Sequence, residues 1–206
     1  MNFIIDEFHK LYYNSSVWQN TKWLGVPILK MPLDLMLYQE IIFEVKPDVI
    51  IESGTFNGGS ALFFASMLDL INKGKIMTID IANQPNLPIH PRLSYIKGSS
   101  LADDIIQEVE GFIKPGDVVL VCLDSDHSKQ HVLNELRLYS RFVTKGSYLI
   151  CEDTNINGHP VLPSHGAGPM EAVQEFLQTN HDFTIDDSKH KFFVSFNPNG
   201  YLRKIK

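Results

Sequence analysis

Short apolar runs rich in β-branched residues alternate along the chain with longer segments whose apolar positions recur at helical spacing. The apolar runs lie at 49–52, 75–81, 93–96, 118–123 and 147–151. The helical segments lie at 60–72, 101–113, 127–142 and 169–179. This alternation predicts an α/β fold, a mostly parallel sheet with helices on both of its faces.

The two ends of the chain add elements to this core. Residues 32–45 suit a helix, and we expect residues 1–46 to form an N-terminal helical cap across the carboxyl ends of the strands. Beyond the last helix, strand-like pieces at 183–186, 191–196 and 201–204 predict an antiparallel edge. The expected organisation is one domain over residues 1–206.

Composition narrows the class of protein. With 206 residues, 44% of them hydrophobic and 20% charged, the chain can bury one sizeable core. The first ten residues do not resemble a signal peptide, and no apolar run approaches the length of a membrane span. Cys122 and Cys151 lie in strand-like runs, as buried reduced thiols do, which favours the cytoplasm.

The net charge of -6 argues against nucleic acid as a partner. We therefore expect a small-molecule or sugar substrate, with neither nucleic acid nor a membrane as partner. Self-association into a homo-oligomer is left open.

A glycine-rich turn, residues 52–60, lies directly after the first apolar strand and opens a helix. Its spacing is not the G-x-G-x-x-G of dinucleotide-binding proteins, and Glu52 would repel a pyrophosphate. The same carboxylate suits the ammonium of an amino-acid-bearing cofactor, which favours S-adenosylmethionine (SAM) over NAD. We expect the cofactor to contact Glu52, Gly54, Thr55 and Ser60.

Two further positions fit such a cofactor. Asp80 ends the second strand, where an acidic side chain can accept hydrogen bonds from ribose hydroxyls. Ser99 and Ser100 follow the third strand, where the edge of an adenine would lie. The alternatives are a packing turn with Asp80 as a helix cap and, equally weighted for the serines, a serine N-cap.

Carboxylates follow the fourth and fifth strands. Asp124 and Asp126 come after one strand, and Glu152 and Asp153 come after the next. Because parallel strands bring these ends to one edge of the sheet, the four groups would repel one another without a cation. Oxygen ligands favour a hard divalent ion, Mg²⁺ in the first place, although each carboxylate alone could cap a helix.

The motifs together resemble those of the cephalosporin hydroxylase family, which also contains rhamnosyl O-methyltransferases. The resemblance runs from about Trp23 to Arg203 and is carried by the glycine turn, the two acidic segments, and the segments Trp23-Leu24-Gly25-Val26-Pro27, Lys30-Met31-Pro32-Leu33-Asp34, Tyr38-Gln39-Glu40 and Phe196-Asn197-Pro198. It implies a Rossmann-like SAM methyltransferase fold and a SAM- and Mg²⁺-dependent O-methyltransferase. It also implies metal binding by Asp124, Glu152 and Asp153, and cofactor binding by Glu52, Gly54, Ser60 and Asp80.

His127 is the candidate catalytic base. In the more distantly similar catechol O-methyltransferases, the residue three after the metal aspartate is a lysine base, and here it is a histidine. The alternative is a histidine that only hydrogen-bonds a carboxylate. Asp126 could hold the loop or orient His127, while His159 and His165 are candidate substrate contacts in the long segment 154–168.

Other functions remain open at this point. A hydroxylase-type oxidoreductase would require redox chemistry, yet no histidine is followed two positions later by Asp or Glu, as in a facial-triad iron site. An i,i+4 metal pair of His127 and His131 is conceivable, although the sequence around it lacks the ligands of a zinc site. A non-catalytic SAM-binding protein of the same fold is the third alternative.

Overall fold

The protein is described by a computed structural model that covers residues 2–82 and 84–206. Within these residues there are nine strands, β1 Lys22–Trp23, β2 Val26–Pro27, β3 Val49–Ser53, β4 Lys75–Asp80, β5 Leu93–Lys97, β6 Val119–Leu123, β7 Tyr148–Cys151, β8 Phe183–Ile185 and β9 Tyr201–Lys204. The α-helices are α1 Asn2–Asn14, α2 Pro32–Val45, α3 Gly59–Leu70, α4 Asp103–Phe112, α5 Lys129–Tyr139 and α6 Pro169–Thr179. Short 3₁₀ helices occupy Val17–Asn20 and Asp187–His190.

Seven strands form one sheet in the order β5-β4-β3-β6-β7-β9-β8. The first five are parallel, and β9 is antiparallel to both of its neighbours. The order of the chain reverses between β3 and β6, which is the place where open α/β sheets bind ligands. The predicted parallel sheet and antiparallel C-terminal edge are confirmed.

The central strands are apolar on both faces, because helices cover both. In β3, Val49 and Ile51 face the core under α4, α5 and α6, whereas Ile50 faces the core under α2 and α3. All five residues of β3 and of β6 are buried. Cys122 and Cys151 lie in this core as free thiols, as predicted.

The N-terminal segment divides between two places. The buried side of α2, which includes Leu37, Tyr38 and Ile41, packs on the face of the sheet, so the expectation that it lies across the strand ends is wrong. The part that does reach the strand ends is α1 with the segment up to Lys30. Met1, with which the predicted cap begins, lies outside the described residues.

One predicted strand does not form. Residues 191–196 run as turns and irregular chain. Phe193 has a positive φ of 66°, which does not fit a strand. The hairpin of β1 and β2 was not predicted. None of the described helices has the length and apolar character needed to cross a bilayer.

Candidate active site

The turn after β3 brings three backbone segments into close contact. Gly54 has a φ of +90°, and a β-carbon there would lie 1.7 Å from the carbonyl oxygen of Asp124. At Gly59 a β-carbon would lie 2.1 Å from the carbonyl oxygen of Pro27. Glycine is required at both positions by these contacts, and at Gly54 also by the left-handed backbone.

Asp80 fixes the conformation of this turn. One of its carboxylate oxygens accepts hydrogen bonds from the amides of Thr55 (3.1 Å) and Phe56 (2.9 Å). The other accepts from the amide of Ala82 at 2.8 Å. The predicted ribose ligand therefore also holds the glycine turn to the end of β4.

Glu52 lies under the turn with no exposed surface. One carboxylate oxygen accepts a hydrogen bond from the Thr78 hydroxyl at 2.6 Å. The other oxygen, Oε1, has no partner among the described residues. Burial raises the pKa of Glu52 to about 7, although Lys30 opposes the shift.

Two cavities of about 310 Å³ each meet at Gly54 and Asp124. The first, which we call the acidic cavity, is lined by Thr55, Ser60, Asp124, His127 and Asp153, among others. The second, the serine cavity, is lined by Asp80, Ser99, Ser100 and His131, among others. The predicted cofactor residues thus line two joined cavities, apart from Glu52, which lines neither.

These features fit a SAM-type cofactor. The hydroxyls of Ser99 and Ser100 and the carboxylate of Asp80 line the serine cavity, as ribose and adenine require, and Gly54 lines both cavities without a side chain. Glu52 does not contribute to this fit as predicted, because it lines neither cavity. Its Oε1 is a buried acceptor with no donor among the described residues, which is costly for the folded chain.

Asp124 and Asp153 extend from the ends of β6 and β7. One ligand atom each of Asp124, His127 and Asp153 lies within 4.8 Å of the others, which is the spacing of a metal site. The Glu152 carboxylate is not in this three-residue cluster, although the sequence groups it with the metal ligands. It lies on the inner side, 4% exposed, where the Cys122 thiol donates to it at 2.8 Å.

Lys30 connects Glu152 to the cluster. Its Nζ donates to Asp124 and, at 2.5 Å, to Glu152. Burial alone would lower the pKa of Lys30, but the two carboxylates outweigh burial and raise it. Lys30 was not predicted as a site residue, and its only sequence signal was its position in the segment Lys30 to Asp34.

His127 is the second positive group in the cluster. Its Nε2 lies 3.4 Å from Asp124 Oδ1 and 3.2 Å from Asp153 Oδ2. Burial lowers the pKa of His127, but the neighbouring carboxylates outweigh this and raise it to about 9. Lys30 and His127 thus offset two of the three carboxylate charges, as a divalent cation would, and the oxygen donors fit a hard ion.

The remaining candidates lie around this centre. Asp126 accepts from the amide (2.8 Å) and hydroxyl of Ser128, so it holds the loop before α5, and among the described residues no hydrogen bond joins its carboxylate to His127. His165 lines the acidic cavity, whereas His159 lies 2.9 Å from Glu171. His131 faces Ser100 and Ser125, so it does not pair with His127 on a metal.

Comparison with known proteins places this geometry in a family. The family described as Rhamnosyl O-methyltransferase/CmcI matches residues 15–205. The rhamnosyl O-methyltransferase of Mycobacterium leprae is 39% identical over 206 residues, covering 97% of this chain and 90% of the relative. Its counterpart in Mycobacterium tuberculosis H37Rv is 37% identical, with 97% and 84% covered.

Solved structures agree with the fold. CmcI with Mg and SAM superimposes with a TM-score of 0.70 at 19% identity, covering 91% of this chain and 78% of CmcI. The O-methyltransferase TomG of Streptomyces achromogenes, in complex with SAM, gives 0.56 at 14% identity, covering 98% of this chain and 89% of TomG. The predicted SAM methyltransferase fold is confirmed, and so is the resemblance noted in the sequence. The chain belongs to the rhamnosyl O-methyltransferase/CmcI family.

Proposed function

We propose that the protein is a SAM- and Mg²⁺-dependent O-methyltransferase that methylates a hydroxyl group of a sugar or another small molecule. The observation that carries the proposal is the meeting of the glycine turn with Asp124, His127 and Asp153 around one cavity. The relatives named rhamnosyl O-methyltransferases favour a sugar as the acceptor. When bound, SAM supplies the methyl group and the cation lowers the pKa of the acceptor hydroxyl.

The two cavities suggest which ligand each of them would hold. The serine cavity would hold the adenosine part of the cofactor through Asp80, Ser99 and Ser100. The acidic cavity would hold the acceptor, and its aromatic side chains Tyr13 and Trp18 suit the apolar face of a sugar ring. Gly54 lies where the cavities meet, so the methyl group would pass between them there.

Asp124, Glu152 and Asp153 are the proposed metal ligands. Asp124 and Asp153 already converge, and Lys30 holds Glu152 against Asp124. Lys30 binds only Oε2 of Glu152, and the Cys122 thiol binds Oε1, so ligation by Glu152 would require one of these two oxygens to turn toward the cation. Lys30 would then keep the buried carboxylates compensated in the protein without metal.

His127 is the proposed acceptor of the hydroxyl proton, at Nε2. The carboxylates that raise its pKa to about 9 are the proposed ligands, so their compensation by a cation removes the cause of the shift. A neutral imidazole near pH 7 can accept a proton. The alignment of the acceptor oxygen with the methyl group would contribute the rest of the rate.

The test is a screen of acceptors with methyl-labelled SAM. Rhamnosides and other sugars with adjacent hydroxyls should become labelled, EDTA should stop turnover, and Mg²⁺ should restore it. Asp124→Asn is the matched control, since it removes one proposed ligand charge without changing side-chain size. Turnover that persists in EDTA would refute the metal requirement, and tight binding of NAD without binding of SAM would refute the methyltransferase.

Location and assembly stay predictions. We expect the protein in the cytoplasm, without nucleic acid or membrane as partner, and self-association remains open. Cell fractionation and light scattering on the purified protein test these expectations.

A further inference from the structure

The buried side-chain amide of Asn197 supports the backbone of Asp153. The side-chain oxygen of Asn197 accepts a hydrogen bond from the Asp153 amide at 2.9 Å. Asn197 is 1% exposed and belongs to the segment Phe196-Asn197-Pro198, to which the proposed chemistry gives no role. Two further bonds join the same segments, from the Thr154 hydroxyl to the Pro198 carbonyl (2.6 Å) and from the Asn155 amide to the Phe196 carbonyl (3.1 Å).

The orientation of Asn197 is fixed from its other end. Its amide nitrogen donates to the Tyr38 hydroxyl at 2.8 Å and lies 3.5 Å from that of Tyr201. These contacts assign the nitrogen to the tyrosines and the oxygen to Asp153. Asn197 thus has little freedom to turn its acceptor away from Asp153.

Asp34 holds the loop that carries Asn197. Its buried carboxylate accepts hydrogen bonds from the Ser195 hydroxyl (2.6 Å), the Phe196 amide (2.8 Å) and the Tyr201 hydroxyl (2.9 Å). Asp34 and Tyr38 lie on α2, more than a hundred residues before Asp153 in the sequence. The network therefore joins α2, near the start of the chain, to the loop 195–201 near its end, and both support Asp153 of the active site.

Asp153 requires such support. Its φ is +52°, in the left-handed region that residues other than glycine adopt infrequently. This bend comes two residues after the end of β7 and leaves the Asp153 carboxylate 3.2 Å from His127 Nε2. A residue in an uncommon conformation keeps it only where the surrounding structure imposes it.

We propose that Asn197 is a positioning residue for the metal site, which acts by holding the Asp153 amide and thereby the left-handed bend that aims the Asp153 carboxylate at Asp124. The inference rests on the proposed role of Asp153 as a metal ligand. Asn197 itself touches neither cavity. Its effect is therefore on the affinity for the cation and not on the cofactor.

The experiment is a calorimetric titration of Mn²⁺ into the full chain, with S-adenosylhomocysteine (SAH) titrated separately. Asn197→Ala should weaken Mn²⁺ binding by about 10- to 100-fold, the range typical for groups that orient a ligand. Its SAH affinity should stay close to that of the wild type. Tyr148→Phe is the matched control, because it removes another tyrosine hydrogen bond, a partly buried one to Asp186 at 2.6 Å, at the opposite end of β7.

The outcomes separate this inference from the proposed function. If Asp153→Ala loses Mn²⁺ affinity while Asn197→Ala keeps it, Asn197 does not position the ligand and the inference is overturned. If Asp153→Ala also binds Mn²⁺ normally, Asp153 is not a ligand and the proposed metal site fails first. Should Asn197→Ala not fold, Tyr38→Phe decides, since it releases only the far end of the amide and should cause a smaller loss of Mn²⁺ affinity in the same direction. Unchanged Mn²⁺ affinity in Tyr38→Phe would then overturn the inference.

Discussion

At the scale of single residues, His127 should control the acidic side of the pH profile. His127→Ala should lower kcat by about 10² to 10⁴, the usual contribution of a general base, and should abolish the fall in activity at low pH. The affinity for SAH should change little, because His127 lines the acidic cavity and not the serine cavity. Steady-state kinetics across pH with a genuine acceptor provide the measurement. A variant with near-normal kcat would show that water takes the proton.

Gly54 should tolerate no side chain, for a reason that the sequence did not provide. A β-carbon at Gly54 would lie 1.7 Å from the carbonyl oxygen of Asp124, so a side chain is excluded even when no cofactor is bound. Gly54→Ala should therefore push apart the ends of β3 and β6 and weaken both SAH and Mn²⁺ binding. Gly116→Ala is the control, since its φ is also positive (+91°) but nothing lies within 4 Å.

Gly116→Ala should lower the free energy of unfolding only by the cost of an alanine in the left-handed conformation, about 1–2 kcal/mol. Gly54→Ala should lower it by this amount and by a further steric cost of about 1–3 kcal/mol. Chemical denaturation of the two variants measures the difference in free energy of unfolding. Equal losses would mean that the turn relaxes without moving Asp124.

The place of Lys30 in the active site could not be predicted from the sequence. The carboxylates were predictable because each directly follows a recognisable parallel strand. Lys30 precedes α2 and lies 94 residues before Asp124, so only the folded chain brings its ammonium between Asp124 and Glu152. For the same reason the inward direction of the Glu152 side chain could not be foreseen.

At the scale of elements, α1 is attached to the active-site loop by a histidine that must stay neutral. His9 is 4% exposed, its Nε2 lies 3.0 Å from the side-chain nitrogen Nδ2 of Asn155, and its ring stacks on Phe196. Burial lowers the pKa of His9 from 6.5 to about 4, although Asp6 opposes the shift. The unfolded chain therefore takes up a proton at a higher pH than the folded chain does.

The stability contributed by neutral His9 should be complete above pH 6.5 and should decline as the pH falls toward 4. Relative to His9→Gln, which does not titrate, the wild type should lose on the order of 3 kcal/mol over this range. Comparison of the two proteins removes the contribution of the other titrating groups. Denaturant unfolding at several pH values measures the free energy of unfolding of both proteins. A difference between them that does not change with pH would contradict the pKa shift.

The strands and crossover helices of the parallel core were predictable because their apolar patterns are strong and local. Residues 191–196 show the limit of this reasoning. Their apolar character suits a strand, but Ser195 and Phe196 bond to Asp34, a partner on a distant helix. A tertiary contact of this kind overrides local propensity and leaves no local signal.

At the scale of the whole molecule, the cation should stabilise the fold. Binding to the folded chain alone, at a free concentration of 100 times Kd, adds about 2.7 kcal/mol to the free energy of unfolding. For a chain of this size that corresponds to a rise in Tm of roughly 5–10 °C. Calorimetric scans in Mg²⁺ and in EDTA test it, with Asp124→Asn expected to show a smaller rise. Equal Tm values in saturating Mg²⁺ and in EDTA would contradict the site.

The position of β9 has a consequence for folding of the protein. β9 is the last described strand in the chain, yet it lies inside the sheet, between β7 and β8. Until residues 201–204 insert there, the edge of β7 that pairs with β9 is unpaired. Such an edge can pair with a neighbouring chain, so a folding intermediate that lacks β9 should be prone to aggregate.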